Sequence, residues 1–373
     1  MESPAVVSFF DRCKLPATAK DDCDAFVASR YSGYIRPAPF QGYCSYTLFV
    51  GEELAVQLRP TAYRLDIGMA ITANSIFGPL APETECLGQL EGMDLHAYSM
   101  RKLPGVSLRD YRAVSSERSA RQAVVQDFAR VQAVAWRNAR RGDELGGEKR
   151  TVGSSLHLRL ALMAALLPIR FRHIASSIIS DLSKIEALPW VFTHGDFLAA
   201  NIMVSPITGE LTGLLDWAEA EWLPFGIGMY GLEELLGEDN RDGQFVYYPE
   251  ARHLRNVFWR QLMLLTPELA HDSKSVALVK KAQILGILLW HGIAFDNGNL
   301  NRVVQEGSDD REIQRLAAFL LHTASHTQQL KLRLIGSPAV SHLALLRRYL
   351  LRKICAPIAP QNPQPYHDGS SNP

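Results

Sequence analysis

Cysteine is scarce in this chain of 373 residues: positions 13, 23, 44, 86 and 355 are odd in number, unevenly spaced and free of any CxxC pair. That speaks against a disulfide framework and fits reduced thiols. Net charge is lacking as well, because 39 basic and 39 acidic residues cancel. Such a surface offers no electrostatic footprint for nucleic acid or an anionic membrane, so neither is expected as a partner. Long apolar runs are also missing. The longest, LRLALMAALLPIRF (158–171), is interrupted by Arg159, Pro168 and Arg170. It is too short to span a bilayer and reads as part of a buried helix over 154–182. The opening residues MESPAVVSFFDRCK contain acids and no apolar stretch of signal-peptide type, so a cytoplasmic location is expected. No internal repeat is visible.

What is present is a globular composition, 47% hydrophobic, in a chain long enough for one large or two packed lobes. The first hundred residues carry strand signals. TAKDDCDAFVASRY (18–31) reads as a capped helix, and RPAPFQGY breaks it. CSYTLFV and LAVQLR, joined by GEE, then predict a β-hairpin ending at Pro60. Leu65–Phe77 has helical spacing and stops at Gly78, and LHAYSMRKLPG (95–105) reads as a strand running into a linker. Beyond Pro104 helices dominate: 115–136 with Ser115 or Ser116 as cap, the buried helix at 154–182, and helical pattern from Tyr230 to Cys355. Between the last two, WVFT, NIMV and LTGLLDW are short strands, and SPITGE is a hairpin turn.

The chemistry is concentrated in that interruption. In THGDFLAANIMV, Asp196 and Asn201 are five residues apart, and Asp216 in GLLDW stands on the far side of the hairpin. Phosphoryl transfer from a nucleotide asks for such a set: a carboxylate at the acceptor hydroxyl, and oxygen ligands that hold magnesium against the phosphates. A hairpin returns Asp216 to the neighbourhood of Asn201, so an amide and a carboxylate can share one ion while Asp196 faces the acceptor.

These segments resemble the catalytic and metal-binding loops of the aminoglycoside phosphotransferase and choline kinase group, relatives of the protein kinases. GYCSYTLFV resembles that family's nucleotide-covering hairpin, AVQLR its third strand and AYSMRKLPG its interlobe hinge. LPFGIGMYGLEELLG is similar to a segment of fungal members. The resemblance spans about residues 40–330 and implies an α+β, bilobal protein-kinase-like fold, with a small β-rich N-lobe (1–103) and a larger helical C-lobe (104–355); the Pro-, Gly-, Ser- and Asn-rich tail (356–373) reads from its composition as disordered. It implies an ATP- and Mg2+-dependent kinase for a hydroxyl of a small molecule. In it, Asp196 would be catalytic and His194 would brace the loop, with Asn201 and Asp216 as metal ligands. Arg59 would meet the phosphates, Gly42 and Ser45 would cover them, and the strand end bearing Met100 and Lys102 would receive adenine.

The chain departs from the pattern in three places. Arg59 stands where protein kinases have Lys, and the two are not interchangeable. The helix at 65–77 offers no acid to pair with it beyond Asp66 at its start. The covering hairpin has no G-x-G-x-x-G. These departures keep open a non-catalytic pseudokinase that binds a nucleotide or metabolite. A protein kinase is disfavoured because no A-P-E segment follows Asp216. Glu219 and Glu221 read either as attractors of a cationic acceptor or as solvated surface. His322 and His326, four apart, read as surface or core histidines rather than zinc ligands. The basic run LLRRYLLRKI (345–354) reads as the outer face of a closing helix.

Overall fold

Period-two alternation builds the first layer. In the computed structural model, which describes residues 4–296 and 299–321, helices α1 (Pro4–Arg12) and α2 (Ala19–Ala28) precede a five-stranded antiparallel sheet. Its strands are β1 (Ile35–Pro37), β2 (Tyr46–Val50), β3 (Leu54–Pro60), β4 (Thr84–Gln89) and β5 (Leu95–Arg101), in the order β1-β2-β3-β5-β4. Tyr46, Leu48, Val56, Leu58, Leu95 and Ala97 share one face and bury it against Val6, Phe9, Cys23 and Val27 of α1 and α2. The opposite face carries Thr47, Gln57, Arg59 and Tyr98 by strand register. The apolar half of each strand thus anchors the sheet and leaves a polar row for chemistry.

Helix α3 (Ile67–Phe77) starts at Asp66, whose carboxylate accepts the Gly68 and Met69 N–H groups, and stops at Gly78 with φ +58°. It belongs by packing to the second lobe: Ala73 and Phe77 join the larger core, and Phe77 lies 4.9 Å from the Trp217 ring.

That lobe opens with β6 (Val106–Ser107) and α4 (Leu108–Val114), then α5 (Arg118–Arg137), α6 (Leu156–Leu166), α7 (Ile169–Ile179) and α8 (Leu182–Glu186). Short strands follow: β7 (Trp190–Thr193), β8 (Ile202–Val204), β9 (Leu211–Leu214) and β10 (Glu221–Pro224). β8 and β9 form the expected hairpin, flanked by β6, while β10 pairs with β7. After α9 (Gly231–Leu235) come the pair β11 (Gly237–Asp239) and β12 (Phe245–Tyr247), then α10 (Ala251–Leu265), α11 (Pro267–Ala270), α12 (Ser273–His291), the pair β13 (Ile293–Asp296) and β14 (Asn299–Val303), and α13 (Asp310–Leu316). Phe128 of α5 stacks on Phe258 of α10 at 5.5 Å in the centre of the lobe. Among the described residues no helix is long and apolar enough to cross a membrane.

Several local expectations change. β4 lacks strict alternation because it is an edge strand with little burial, which hid it. The linker after Gly105 is in part α4, capped by Ser107. Because α4 runs to Val114 with Ser115 as its C-cap, α5 begins at Arg118 with Glu117 at its N-cap, and neither Ser115 nor Ser116 caps it. The helix expected over 154–182 is broken at Pro168, which has no N–H to continue it. The run expected to be helical from Tyr230 is interrupted by two hairpins. His322, His326, Cys355, the basic run at 345–354 and the tail at 356–373 lie outside the described residues.

Candidate active site

β7 delivers His194, Gly195 and Asp196 to the edge of the second lobe. His194 is buried, and its two ring nitrogens brace the loop. Nε2–H donates to the Leu215 carbonyl at 2.8 Å, and Nδ1 accepts the Asp196 N–H at 3.2 Å. One nitrogen must donate and the other accept, so only the neutral ring fits. Burial agrees, pushing its pKa down to about 4. Gly195 has φ +81°, and a Cβ there would come within 2.1 Å of the Glu219 carbonyl oxygen. The loop therefore lies directly on the turn after β9, and only glycine allows the approach.

The apolar residues inside the 194–201 loop also have a use. Phe197 is buried, packs 4.4 Å from the Phe128 ring, and donates its backbone N–H to the Tyr230 hydroxyl at 2.7 Å. This pins the middle of the loop to the core, so Asp196 and Asn201 at its two ends are held in fixed relation. Asn201 Nδ2 donates to Asp196 Oδ2 at 2.8 Å and to its carbonyl at 3.1 Å. The β8–β9 ladder pairs Ile202 with Leu214, and the Leu215 N–H donates to the Asn201 carbonyl at 2.8 Å. Asp216 follows at once, with φ +58°. Only Lys14 shares a positive φ among the described non-glycine residues. A strained carboxylate at the end of a hairpin is a recurrent mark of a working site.

Asp196 is half-buried. Burial raises its pKa to about 7, with the charge of Asp216 adding to the effect and the Asn201 hydrogen bond opposing it. Across the cleft, Arg59 reaches Asp216 Oδ1 at 3.3 Å. Its guanidinium is buried, and Nε–H donates to Gln57 Oε1 at 2.9 Å. No acid of α3 meets Arg59: Asp66 is occupied as a helix cap, and Asp216 takes Arg59 from across the cleft.

Gly42 and Ser45 lie in the β1–β2 loop, residues 38–45. A glutamine closes this loop. The Gln41 side-chain oxygen Oε1 accepts the Thr47 N–H at 2.8 Å, and Nε2 donates to the Ala38 and Thr47 carbonyls at 3.0 and 2.9 Å. Ser45 is buried, its hydroxyl 3.3 Å from that of Thr47. Met100 and Lys102 are not brought to the Asp196 group. Met100 pairs with Ala55 of β3, four residues along that strand from Arg59, which is roughly 13 Å at strand rise. Lys102 is held by Glu52 at 3.5 Å and by the face of Phe49, and its N–H goes to the Glu53 carbonyl. Glu221 is buried and accepts the Val152 and Gly153 N–H groups at 3.1 and 2.8 Å, a structural use that removes it as an acceptor contact. Glu219 is exposed. Partial burial and then the charge of Asp216 raise its pKa.

Arg59 and Asp216 were each expected at the site, but their pairing was not readable because 157 residues separate them; Gln41 and Tyr230 were missed, Tyr230 because it acts through Phe197, 33 residues away. The strongest available signal was negative, the absence of an acid in α3.

Comparison with known proteins follows this geometry. Residues 67–227 match the family described as Phosphotransferase enzyme family (APH). The GDP complex of wild-type aminoglycoside 2'-phosphotransferase-IIIa is similar in fold, with TM-score 0.53 and 13% identity, covering 83% of this chain and 98% of that one. The GDP complex of a single-substitution mutant of that enzyme gives TM-score 0.53 and 14% identity over 83% of this chain and 97% of that one. No curated protein sequence matches the chain significantly. The match over residues 67–227 is to the phosphotransferase enzyme family, and the two-lobed fold is similar to that of the kinase-like aminoglycoside phosphotransferases.

Proposed function

We propose that the protein is a phosphotransferase that uses ATP with Mg2+ and phosphorylates a hydroxyl group of a small molecule. The observation that carries this reading is the convergence of Asp196, Asn201 and Asp216 on one edge of the cleft with Arg59 opposite. Asp196 Oδ2 is taken by Asn201, which leaves Oδ1 to orient the acceptor hydroxyl and receive its proton during in-line attack. A pKa near 7 suits that task at physiological pH.

The donor set fits magnesium. Asp216 offers a partly exposed carboxylate and Asn201 a carboxamide oxygen, both hard ligands. Among the described residues no group of three or more His, Cys, Asp or Glu forms a metal cage. That suits an ion completed by phosphate and water oxygens, and magnesium commonly binds in this way. Bound there, it would neutralise charge on the phosphates. Arg59 would turn from Asp216 toward them, and the loop at 38–45 would cover them. The roughly 13 Å from Arg59 to Met100 along β3 suits the span from phosphates to base, so the strand end at Met100 and Lys102 is assigned to the base. The GDP in the fold neighbours makes guanine nucleotides a necessary comparison.

Thermal stabilisation by ATP or GTP, with and without magnesium, tests the binding half of this proposal. The chemical half is tested by incubating wild type and Asp196→Asn with metabolite pools and seeking a species that gains a phosphoryl mass with wild type alone. A non-catalytic nucleotide binder is the second reading, favoured by the occupation of Asp216 by Arg59. Nucleotide binding with equal background γ-phosphate release in both proteins would select it.

A further inference from the structure

The loop at 38–45 is gripped by an element that phosphoryl transfer leaves unused. α1 is anchored in the first core by Val6 and Phe9, 2% and 0% exposed, and Phe9 stacks 6.5 Å from the Tyr46 ring at the start of β2. The last residue of α1, Arg12, turns onto the loop. Its guanidinium lies 3.9 Å from the centroid of the Tyr43 ring. Nη2–H donates to the Tyr43 carbonyl, and Nη1–H turns back to the Ser8 carbonyl and hydroxyl at 3.4 and 3.3 Å. The Nε–H is buried without an acceptor. A guanidinium that gives up water at one nitrogen to hold the other two is fixed by its surroundings rather than drifting at the surface. Its flat fork lets it stack and donate at once, which an ammonium cannot do.

The gripped residue adjoins the chemistry. Tyr43 meets the edge of Tyr63 at 6.2 Å, and the Tyr63 carbonyl accepts from Arg59 at 3.5 Å. Cys44, the next residue, lies in the fields of Arg59, Asp216 and Glu219 as well as of Arg12. The tip of the loop therefore stands between α1 and the cation and carboxylate of the cleft.

We propose that Arg12 is a positioning residue for nucleotide binding, holding the tip of the 38–45 loop in the shape in which its backbone amides face the phosphates. This rests on the phosphotransferase reading above. With Gly42 as its only glycine, the loop takes its order from side chains: Gln41 closes its base and Arg12 holds its tip. Order set before the ligand arrives spares binding the cost of imposing it, so loosening the grip weakens affinity without touching any phosphate contact.

The test uses the full chain with Arg12→Met, which keeps an unbranched stem, and Arg12→Lys, which keeps the charge and loses the fork. Hydrogen exchange of the Ala38 and Thr47 amides is read in the ligand-free proteins, and ATP and GTP affinity with magnesium is read by calorimetry. Both variants are expected to exchange these two amides at least about fivefold faster and to bind nucleotide about five- to tenfold more weakly. Exchange in β3 and β5 and the melting temperature should stay as in wild type. Unchanged exchange at Ala38 and Thr47 overturns the proposal, as does loosening spread over the whole sheet, which would make Arg12 merely structural. Full rescue of affinity by Lys also overturns it, since charge alone would then suffice. Wild type that binds neither nucleotide defeats the phosphotransferase reading instead, while the exchange measurement still decides whether the grip exists.

Discussion

The two loops that face each other across the cleft differ in where their polar ties come from. In the 194–201 loop these ties run to neighbours close in sequence, His194 to Asp196 and Asn201 to Asp196, and to the hairpin that brings Leu215 back to both, while Phe197 pins the loop's middle to the remote Phe128 and Tyr230. The covering loop, 38–45, is closed at its base by Gln41, but the rest of it is held from remote elements, by Arg12 at its tip and by Arg109 of α4, whose guanidinium lies 4.8 Å from the exposed Phe40 ring. A loop of the first kind leaves a local pattern that can be recognised. One of the second kind leaves almost none, because its partners sit at no fixed spacing.

The comparison can be broken most severely in the 194–201 loop. Asp196→Asn should lower phosphoryl transfer by about 100- to 10,000-fold while nucleotide binding persists, checked by turnover and calorimetry side by side. The same substitution has a second signature in the free protein. Asp196 carries a folded pKa of about 7 against an ordinary 3.8, so the folded state holds a proton that the unfolded state releases between those values. Its contribution to stability is present below pH 3.8 and is lost as pH rises to 7. Asp196→Asn should therefore unfold at higher denaturant than wild type at pH 8, by about 1–2 kcal/mol after allowing for partial solvent screening, and show no gain at pH 4. Equal stability at both values would count against the buried carboxyl.

Gly195→Ala ranks next. The positive φ and the Glu219 carbonyl both oppose a Cβ, so a loss of about 2–4 kcal/mol is expected by chemical denaturation. Arg59→Met should weaken ATP binding about tenfold, since one desolvated cation facing phosphates is removed and Asp216 is left without its partner. Calorimetry with and without magnesium separates the two causes. The smallest effect falls on the covering loop: Gln41→Ala should weaken ATP about three- to fivefold and cost about 1 kcal/mol in stability, because the Thr47 N–H loses its acceptor. If Gln41→Ala proved more damaging than Arg59→Met, the view of the covering loop as an accessory would be reversed.

The same contrast explains what could be read before any coordinates. The β2–β3 hairpin, α3 with its Gly78 stop, and the β8–β9 hairpin were all legible, because alternation, helix stops and turn chemistry are local. The spacing of Asp196, Asn201 and Asp216 was legible for that reason too. β4 was not, since an edge strand with one poorly buried face has no alternation to show. Nor was the break at Pro168, where a strong apolar run masked the missing N–H. The partner of Arg59 was out of reach entirely, as 157 residues separate it from Asp216 and nothing in either segment names the other.

The pairing of Arg59 with Asp216 also bears on control. In an arrangement where the phosphate-facing cation is held by a helix, rotating that helix turns the site on or off. Here α3 contributes no carboxylate, and the cation answers directly to the opposite lobe. Salt weakens a single half-exposed charge pair, so raising it is expected to loosen the Arg59–Asp216 contact and with it the tie across the cleft.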